Sequence, residues 1–429
     1  MEIQSIINKF RQKSMLRTGA IYSMSSSLSA VAAMIVGFAN MRWLGPELLG
    51  IWQSITIINS YLPFLQLGIQ SGLNVDLPII LGEGNQERAN KYIGTAKAFA
   101  RMLSILISLI GTGVVIYLLC NNSDLKITVG VAAIVYMAVI SCYQLHLIAT
   151  YRTASAFDRL SKIYLVDAVV TLLLLFFIYK YLYYGLIIYN VVKETVKLVL
   201  MHYYAPYRKT RPLFDKSVFF SLFKRGAALM ALNQLTGVLG SLPRLILLTL
   251  GGVIQVGLFS PALAVHSLIG LIPSQLVQFL QPQMGYKYGK SKRAMDMKSF
   301  INKLTLYVPL VTLPFAIVGW VLIAPVLQYI FPKYIESIWA IRIMLVGFMF
   351  SSTSITSNFL VTIKAYKQLL YLYGFQFVLF TALPILSIKF LPCSILTSMS
   401  LGLSVGYFLF YFINYILITH TIKLPRFNR

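Results

Sequence analysis

Residues 96–120 read AKAFARMLSILISLIGTGVVIYLLC. Lys97 and Arg101 stand at one end, and no charged residue follows through Cys120. About 20 apolar residues cross a hydrocarbon core of about 30 Å as a helix. A β-barrel strand would alternate apolar and polar residues, and this run does not. The chain is built from such segments. Twelve are predicted, at 18–41, 48–70, 96–120, 126–149, 159–180, 182–204, 222–249, 254–281, 302–330, 338–362, 367–389 and 394–419. The fold class is therefore all-α and membrane-spanning, since backbone facing lipid must satisfy its own hydrogen bonds.

The 37 Lys and Arg residues are distributed unevenly among the gaps. With the N-terminus inside, the inside gaps and both tails collect Lys9, Arg11, Lys13 and Arg17, then Arg88, Lys91, Lys97 and Arg101. Arg152, Arg159 and Lys162 come next, and a central group runs from Lys193 to Arg225. The remaining inside cations lie at 287–303, 364–367 and 423–429. Arg42, Lys126, Lys180, Arg244, Lys333, Arg342 and Lys389 fall elsewhere. Such a bias places the basic loops and both termini in the cytoplasm. The same bias explains the net charge of +25 in a chain that is 58% hydrophobic and 11% charged, and nucleic acid is not needed as a partner.

The first span is long enough to cross and lacks a small-residue cleavage site, so it is expected to be retained. Ahead of it, Ile3, Ile6, Ile7 and Phe10 recur at helical spacing among basic residues, as in a helix lying on a membrane face. Cys120, Cys142 and Cys393 are too few for a disulfide framework and are expected to be unpaired.

The longest polar break, 205–217, contains Pro206, Arg208, Lys209, Arg211 and Pro212. It divides the chain into an interfacial segment (1–16), an N-terminal lobe (17–204), the inter-lobe loop (205–217), a C-terminal lobe (218–419) and a tail (420–429). An internal repeat supports six spans plus six. Arg17-Thr-Gly19-Ala20 answers Lys224-Arg225-Gly226-Ala227. The turn Leu44-Gly45-Pro46-Glu47-Leu48-Leu49-Gly50 answers Leu250-Gly251-Gly252-Val253-Ile254-Gln255-Val256-Gly257. Pro78 and Gly84-Asn-Gln-Glu-Arg88-Ala89 answer Pro282 and Gly289-Lys-Ser-Lys-Arg293-Ala294. Both halves begin inside, so the repeat is parallel and leads to two six-helix lobes around a central cleft, the arrangement of alternating-access transporters.

Polar residues concentrate on the first two spans of each half. Ser26, Asn40, Asn59, Asn233, Gln234 and Gln278 are candidate cleft residues. Charge within a span is costly and marks a cavity or a partner. Arg244, Arg42, Arg17, Arg225 and Arg342 could therefore hold a diphosphate, for which the guanidinium fork is suited. Arginines at helix ends also extend to lipid headgroups, which is the alternative for Arg17, Arg225 and Arg342. Counting along the fifth and sixth spans puts Asp167 level with Lys197. Asp167, Glu194, Lys193 and Lys197 thus form either a buried ion pair or an ion-coupling group. No phosphate loop, nucleophile elbow or metal-ligand spacing is present in the sequence, so no cofactor, metal or catalytic residue is expected.

Arg42-Trp-Leu-Gly-Pro-Glu-Leu-Leu-Gly50 resembles the Arg-x-Leu-Gly-Pro-Glu-x-x-Gly signature of polysaccharide flippases. Gly72-Leu-Asn-Val-Asp-Leu-Pro78, with Gly82 and Gly84, resembles their second-to-third loop, with Val75-Asp76 where that pattern often has Arg-Glu. These flippases belong to the multidrug/oligosaccharidyl-lipid/polysaccharide superfamily, and chain length and span count match throughout. The resemblance implies a translocase for undecaprenyl-diphosphate-linked oligosaccharide units in the bacterial inner membrane, for O-antigen, capsule or exopolysaccharide. It would work as a monomer beside a polysaccharide polymerase. A multidrug exporter of the same fold is the alternative.

Overall fold

The computed structural model describes residues 2–270, 284, 288, 293–351 and 354–427, with side chains from residue 21 onward except 354, 355 and 426. Among them there are helices and no strand. In order these are α1 (Glu2–Thr56), α2 (Ile69–Gly82), α3 (Gln86–Cys120), α4 (Leu125–Thr153), α5 (Phe157–Leu173), α6 (Leu175–Tyr203) and α7 (Lys216–Leu258). They continue with α8 (260–270 as described), α9 (Lys298–Pro325), α10 (Ile338–Ser351), α11 (Ser354–Thr362), α12 (Tyr366–Phe390) and α13 (Ile395–Lys423). The protein is an all-α membrane protein with twelve transmembrane helices in two repeated halves of six.

Nine described helical stretches are long and apolar enough to cross a bilayer. The first, Ile21–Gln66, holds two spans in 46 residues. The fifth predicted span corresponds to α5, of 17 residues. The eighth begins in α8 and continues beyond the described residues. The predicted short N-terminal helix is continuous with the first span, since α1 begins at Glu2; its side chains lie outside those described.

Large apolar side chains face outward. On α3, Met102, Ile105, Leu106, Leu109 and Ile110 are exposed, while Ala96, Ala100 and Gly111 are buried. Small residues inside and large ones outside are what helix packing in lipid produces, because lipid tails solvate leucine as well as a protein core does.

By internal packing the chain divides into two compact units, 1–44 with 55–234, and 45–54 with 235–429. In the first unit, Ile69, Leu73, Leu77 and Ile80 form a buried stripe on α2. It packs against Ala89, Tyr92, Ile93 and Ala96 of α3, Ala149 of α4 and Leu222 of α7. A second core joins Leu147 and Tyr151 of α4 to Leu160, Ile163 and Met201. The first unit also holds the 204–215 segment against α3. Lys97 Nζ donates to the carbonyls of Arg208 (3.2 Å) and Thr210 (2.9 Å), and Thr95 Oγ1 donates to that of Leu213 (3.1 Å).

The second predicted span is not one helix ending at 70. It runs from Pro46 through two 3-10 turns, Ile57–Ser60 and Leu62–Gln66, breaks at Leu67 and Gly68, and resumes as α2 to Gly82. Pro63 cannot donate a backbone hydrogen bond, and Gly68 takes φ +76. Side chains replace the lost ladder: Gln66 donates to the Cys142 carbonyl (3.3 Å), Gln70 to that of Ala96 (3.4 Å), and Gln70 also pairs with His146 (3.2 Å). The stretch read as a long loop after the second span is therefore helical.

In the second unit the repeat becomes visible as geometry. Gly45 has φ 79, ψ 175 and Gly252 has φ 78, ψ −177, the same break at positions 207 residues apart. A Cβ on Gly50 would overlap the Val253 carbonyl, and one on Gly257 would overlap that of Pro46. Each contact is the other's image under the same 207-residue offset. Gln53 Nε2 donates to Ser260 Oγ at 2.9 Å, so residue 53 touches its own repeat counterpart.

We expect Gly257→Ala to destabilise the purified protein by about 1–3 kcal/mol, because the methyl must displace backbone. Gly240→Ala, where a Cβ meets nothing within 4 Å, should be neutral or stabilising by up to about 1 kcal/mol. Thermal unfolding in detergent compares the two, and equal Tm shifts would contradict the crossing.

Candidate functional site

The side chains singled out above separate into three kinds of environment. Along α7, the positions Asn233, Thr236, Gly237 and Gly240 are exposed and recur at helical spacing, and Arg244 continues the series one turn on. No large apolar residue lies in this stripe, so it does not have the character of a lipid-facing surface. A Cβ on Gly237 or Gly240 would meet nothing within 4 Å. Arg244 itself is half-buried, and its Nε is buried without a hydrogen-bond partner among the described residues. Buried donors of this kind are rarely left unsatisfied without a reason.

The repeat supplies a comparison within the chain. Shifted back by 207, the stripe becomes Ser26, Ser29, Ala30, Ala33 and Gly37 of α1. Ala30, Ala33 and Gly37 are exposed, and a Cβ on Gly37 meets nothing within 4 Å. The two stripes are alike in small residues and differ at their last position, Arg244 in one and Gly37 in the other. Ser26 bonds within its own helix, to the Ser23 carbonyl at 2.9 Å.

The second environment is the ion pair. Arg225 NH1 lies 2.7 Å from Asp76 Oδ1, with the Arg225 side chain 55% exposed and that of Asp76 4% exposed. Here α7 meets α2 backbone to backbone, Gly226 against Gly68 and Gly72. Arg225, a candidate diphosphate ligand in the sequence, thus neutralises a buried carboxylate. In the sequence Asp76 falls in the stretch that resembles the second-to-third loop. The available signal was periodicity: Asp76 follows Ile69 by 7 and precedes Ile80 by 4, so it belongs to the buried stripe of α2.

The third is the group on α5 and α6. Asp167 is buried and accepts a hydrogen bond from Ser29 Oγ of α1 at 2.6 Å. Its Oδ1 has no hydrogen-bond partner, and the residue has no ion-pair partner among those described. Lys197 instead lies 4.0 Å from Glu194 on its own helix, and Lys193 lies 4.0 Å from the same carboxylate. Gln144 of α4 donates to Glu194 Oε2 at 3.1 Å. The counted register of α5 against α6 gave depth but not rotation about the helix axes, and rotation turns Asp167 toward α1.

The remaining candidates are dispersed. Arg342 donates to the Trp320 carbonyl (3.3 Å) and stacks its guanidinium between Trp320 (5.5 Å) and Trp339 (5.2 Å). Aromatic and arginine side chains gathered in this way suit a membrane–water interface. Arg42 and Asn59 are exposed, Gln234 is half-buried, and Asn40 is buried with Oδ1 unpartnered. The Arg17 side chain and Gln278 lie outside the described residues. No cluster of metal-ligating side chains occurs among the described residues.

This arrangement of repeated, broken membrane helices is shared with solved transporters. An inward-facing multidrug resistance MATE family transporter of the MOP superfamily superposes with a TM-score of 0.70 at 15% identity, covering 95% of this chain and 98% of that one. A Vibrio cholerae MATE transporter, VcmN, in its bent form gives 0.61 at 13%, covering 96% and 98%. A MOP superfamily transporter from Pyrococcus furiosus, described as having a binding pocket of reverse polarity, gives 0.56 at 13%, covering 95% of each chain. At these identities the likeness establishes the fold. No curated protein matches by sequence. The family of polysaccharide biosynthesis proteins matches residues 41–339, and the chain belongs to that family. Fold and family together define a multi-pass membrane protein of the polysaccharide biosynthesis family with the fold of MATE transporters.

Removing Arg225 should leave the Asp76 carboxylate buried and uncompensated. We expect Arg225→Gln to cost about 3 kcal/mol, the lower end for a broken buried pair because Arg225 is partly solvated. The double variant Asp76→Asn/Arg225→Gln should recover most of that loss in the same unfolding assay. An unchanged single variant would reduce the pair to a surface contact.

Proposed function

We propose that this protein moves oligosaccharide repeat units, linked through a diphosphate to undecaprenol, from the cytoplasmic to the outer leaflet of a bacterial inner membrane. The units would feed O-antigen, capsule or exopolysaccharide assembly, with a polysaccharide polymerase as the downstream partner. Two facts support the reading together. The family is one of polysaccharide biosynthesis, and the open stripe of α7 ends in a guanidinium whose Nε lacks a partner among the described residues. A diphosphate is the part of such a cargo that crosses hydrocarbon least willingly. A planar, permanently charged fork on a stripe of small residues offers it paired hydrogen bonds where water is scarce. The large sugar portion needs room, and Gly237 and Gly240 leave it along α7. Alternating access of the two halves would then carry the bound head group across.

Asp167 supplies a coupling site for this reading. A buried carboxylate with one oxygen on Ser29 and the other without a hydrogen-bond partner can take up a proton or a small cation during the cycle. The second reading, a multidrug exporter, is favoured by the described function of the MATE neighbours. Cationic drugs would be repelled by Arg244, which weighs against it.

Arg244→Ala should abolish surface polysaccharide at unchanged membrane levels, and Arg244→Lys should retain part of it because charge survives without the fork. Full activity of the Ala variant would return Arg244 to a structural role. Deleting the gene should strand lipid-linked units in the cytoplasmic leaflet. Intact surface glycan with new drug sensitivity would favour the exporter. For orientation, a cysteine at position 48 should react with an impermeant thiol reagent in intact cells and one at 209 should not. The reverse pattern would invert the topology.

A further inference from the structure

Helix α3 is too long for the membrane it crosses. Its 35 residues span about 52 Å at about 1.5 Å per residue, against about 30 Å of hydrocarbon. The far end is sharply marked by Asn121, Asn122, Ser123 and Asp124. The last twenty residues of α3 begin at Arg101. Burial changes character at the same point: Tyr92 through Lys97 are all buried against protein, whereas Arg101, Met102, Ile105 and Leu109 are exposed. Arg101 therefore stands at headgroup level. The apolar stripe beyond it faces acyl chains, and the turns before it stand clear of the membrane.

A second cation is held on the same side of α3. One turn before Arg101, the buried Lys97 uses its ammonium to grip the carbonyls of Arg208 and Thr210. That fixes the 204–215 segment on α3 and presents the Arg208 side chain, exposed, over the Tyr203 ring at 5.3 Å. Arg101 lies over the Tyr143 ring at 5.9 Å, and the Tyr143 hydroxyl pairs with His202 Nδ1 at 3.1 Å. Neither Arg101 nor Arg208 has an ion-pair partner among the described residues. Their guanidinium groups rest on aromatic rings and leave their edges free to donate.

We propose that Arg101 and Arg208 form a binding site for an anionic glycerophospholipid in the leaflet on the side of the 205–217 loop. The phosphate would sit between the two guanidinium groups, and an acyl chain would lie along Met102, Ile105 and Leu109. The lipid is favoured over free phosphate because the cations open directly onto that apolar stripe. Basic pockets between membrane helices take such headgroups, each nearby cation contributing a similar increment. Binding here fastens the 204–215 segment to the membrane as well as to α3. It does not depend on the cargo assigned above.

The test is native mass spectrometry of the full-length protein in detergent, titrated with phosphatidylglycerol or phosphatidylcholine. The wild type should retain phosphatidylglycerol preferentially. Arg101→Gln and Arg208→Gln should each lower its affinity about five-fold, and the double variant about twenty-five-fold. Lys364→Gln/Lys367→Gln removes two exposed cations elsewhere and should change affinity less than about two-fold. Arg101→Lys/Arg208→Lys keeps the charge and should bind better than the Gln pair, which separates lost charge from lost folding. Millimolar inorganic phosphate should not displace the lipid. The proposal is overturned if the double Gln variant binds like wild type, if the Lys364/Lys367 control loses as much, if the Lys pair binds no better than the Gln pair, or if phosphate displaces the lipid.

Discussion

The structure depends on a place where two chain segments meet with no side chain between them. Gly50 backs onto the Val253 carbonyl and Gly257 onto that of Pro46, while Gln53 hydrogen-bonds to Ser260, its counterpart 207 residues on. Close approach of backbones lets short-range dispersion act where there is no hydrophobic drive between helices in lipid. It also demands glycine at two positions at once. The breaks at Gly45 and Gly252, with nearly identical backbone angles, deliver those glycines to the crossing. A repeat that preserves the break therefore preserves the contact, because each copy supplies what the other needs.

Symmetry of backbone makes asymmetry of side chains informative. The exposed stripes of α1 and α7 match in size and spacing, yet one ends in Gly37 and the other in Arg244. Packing explains glycine in such a stripe but gives no reason for an arginine whose Nε is buried without a hydrogen-bond partner among the described residues. The other prominent arginines have local explanations. Arg225 neutralises Asp76, and Arg342 stacks between two tryptophans. Charge alone did not distinguish these three residues, whereas their partners do.

The broken second span shows how polar residues serve architecture in lipid. A gap in the backbone ladder between the 3-10 turns and α2 would be costly in a membrane, and Gln66, Gln70 and His146 offset it by bonding to α3 and α4 carbonyls and to each other. Gln66 and Gln70 are buried within the first unit, where they support a bend.

Class, span count and repeat were legible in the sequence, as were the glycine breaks at Gly45 and Gly252. These follow from one-dimensional properties: hydrophobic length, the bias of Lys and Arg between gaps, and matched Gly-containing turns at a constant offset. Tertiary structure decided what each polar residue does, because that depends on rotation about helix axes and on breaks within helices. Asp167 was expected at the depth of Lys197 but faces Ser29. Asp76 passed for a loop residue because the extension of α2 to Gly82 requires the interruption at Gly68. Hydropathy measures how much of a segment is apolar, not where around the helix each side chain points. The partners of buried charges are fixed only when neighbouring helices settle against one another.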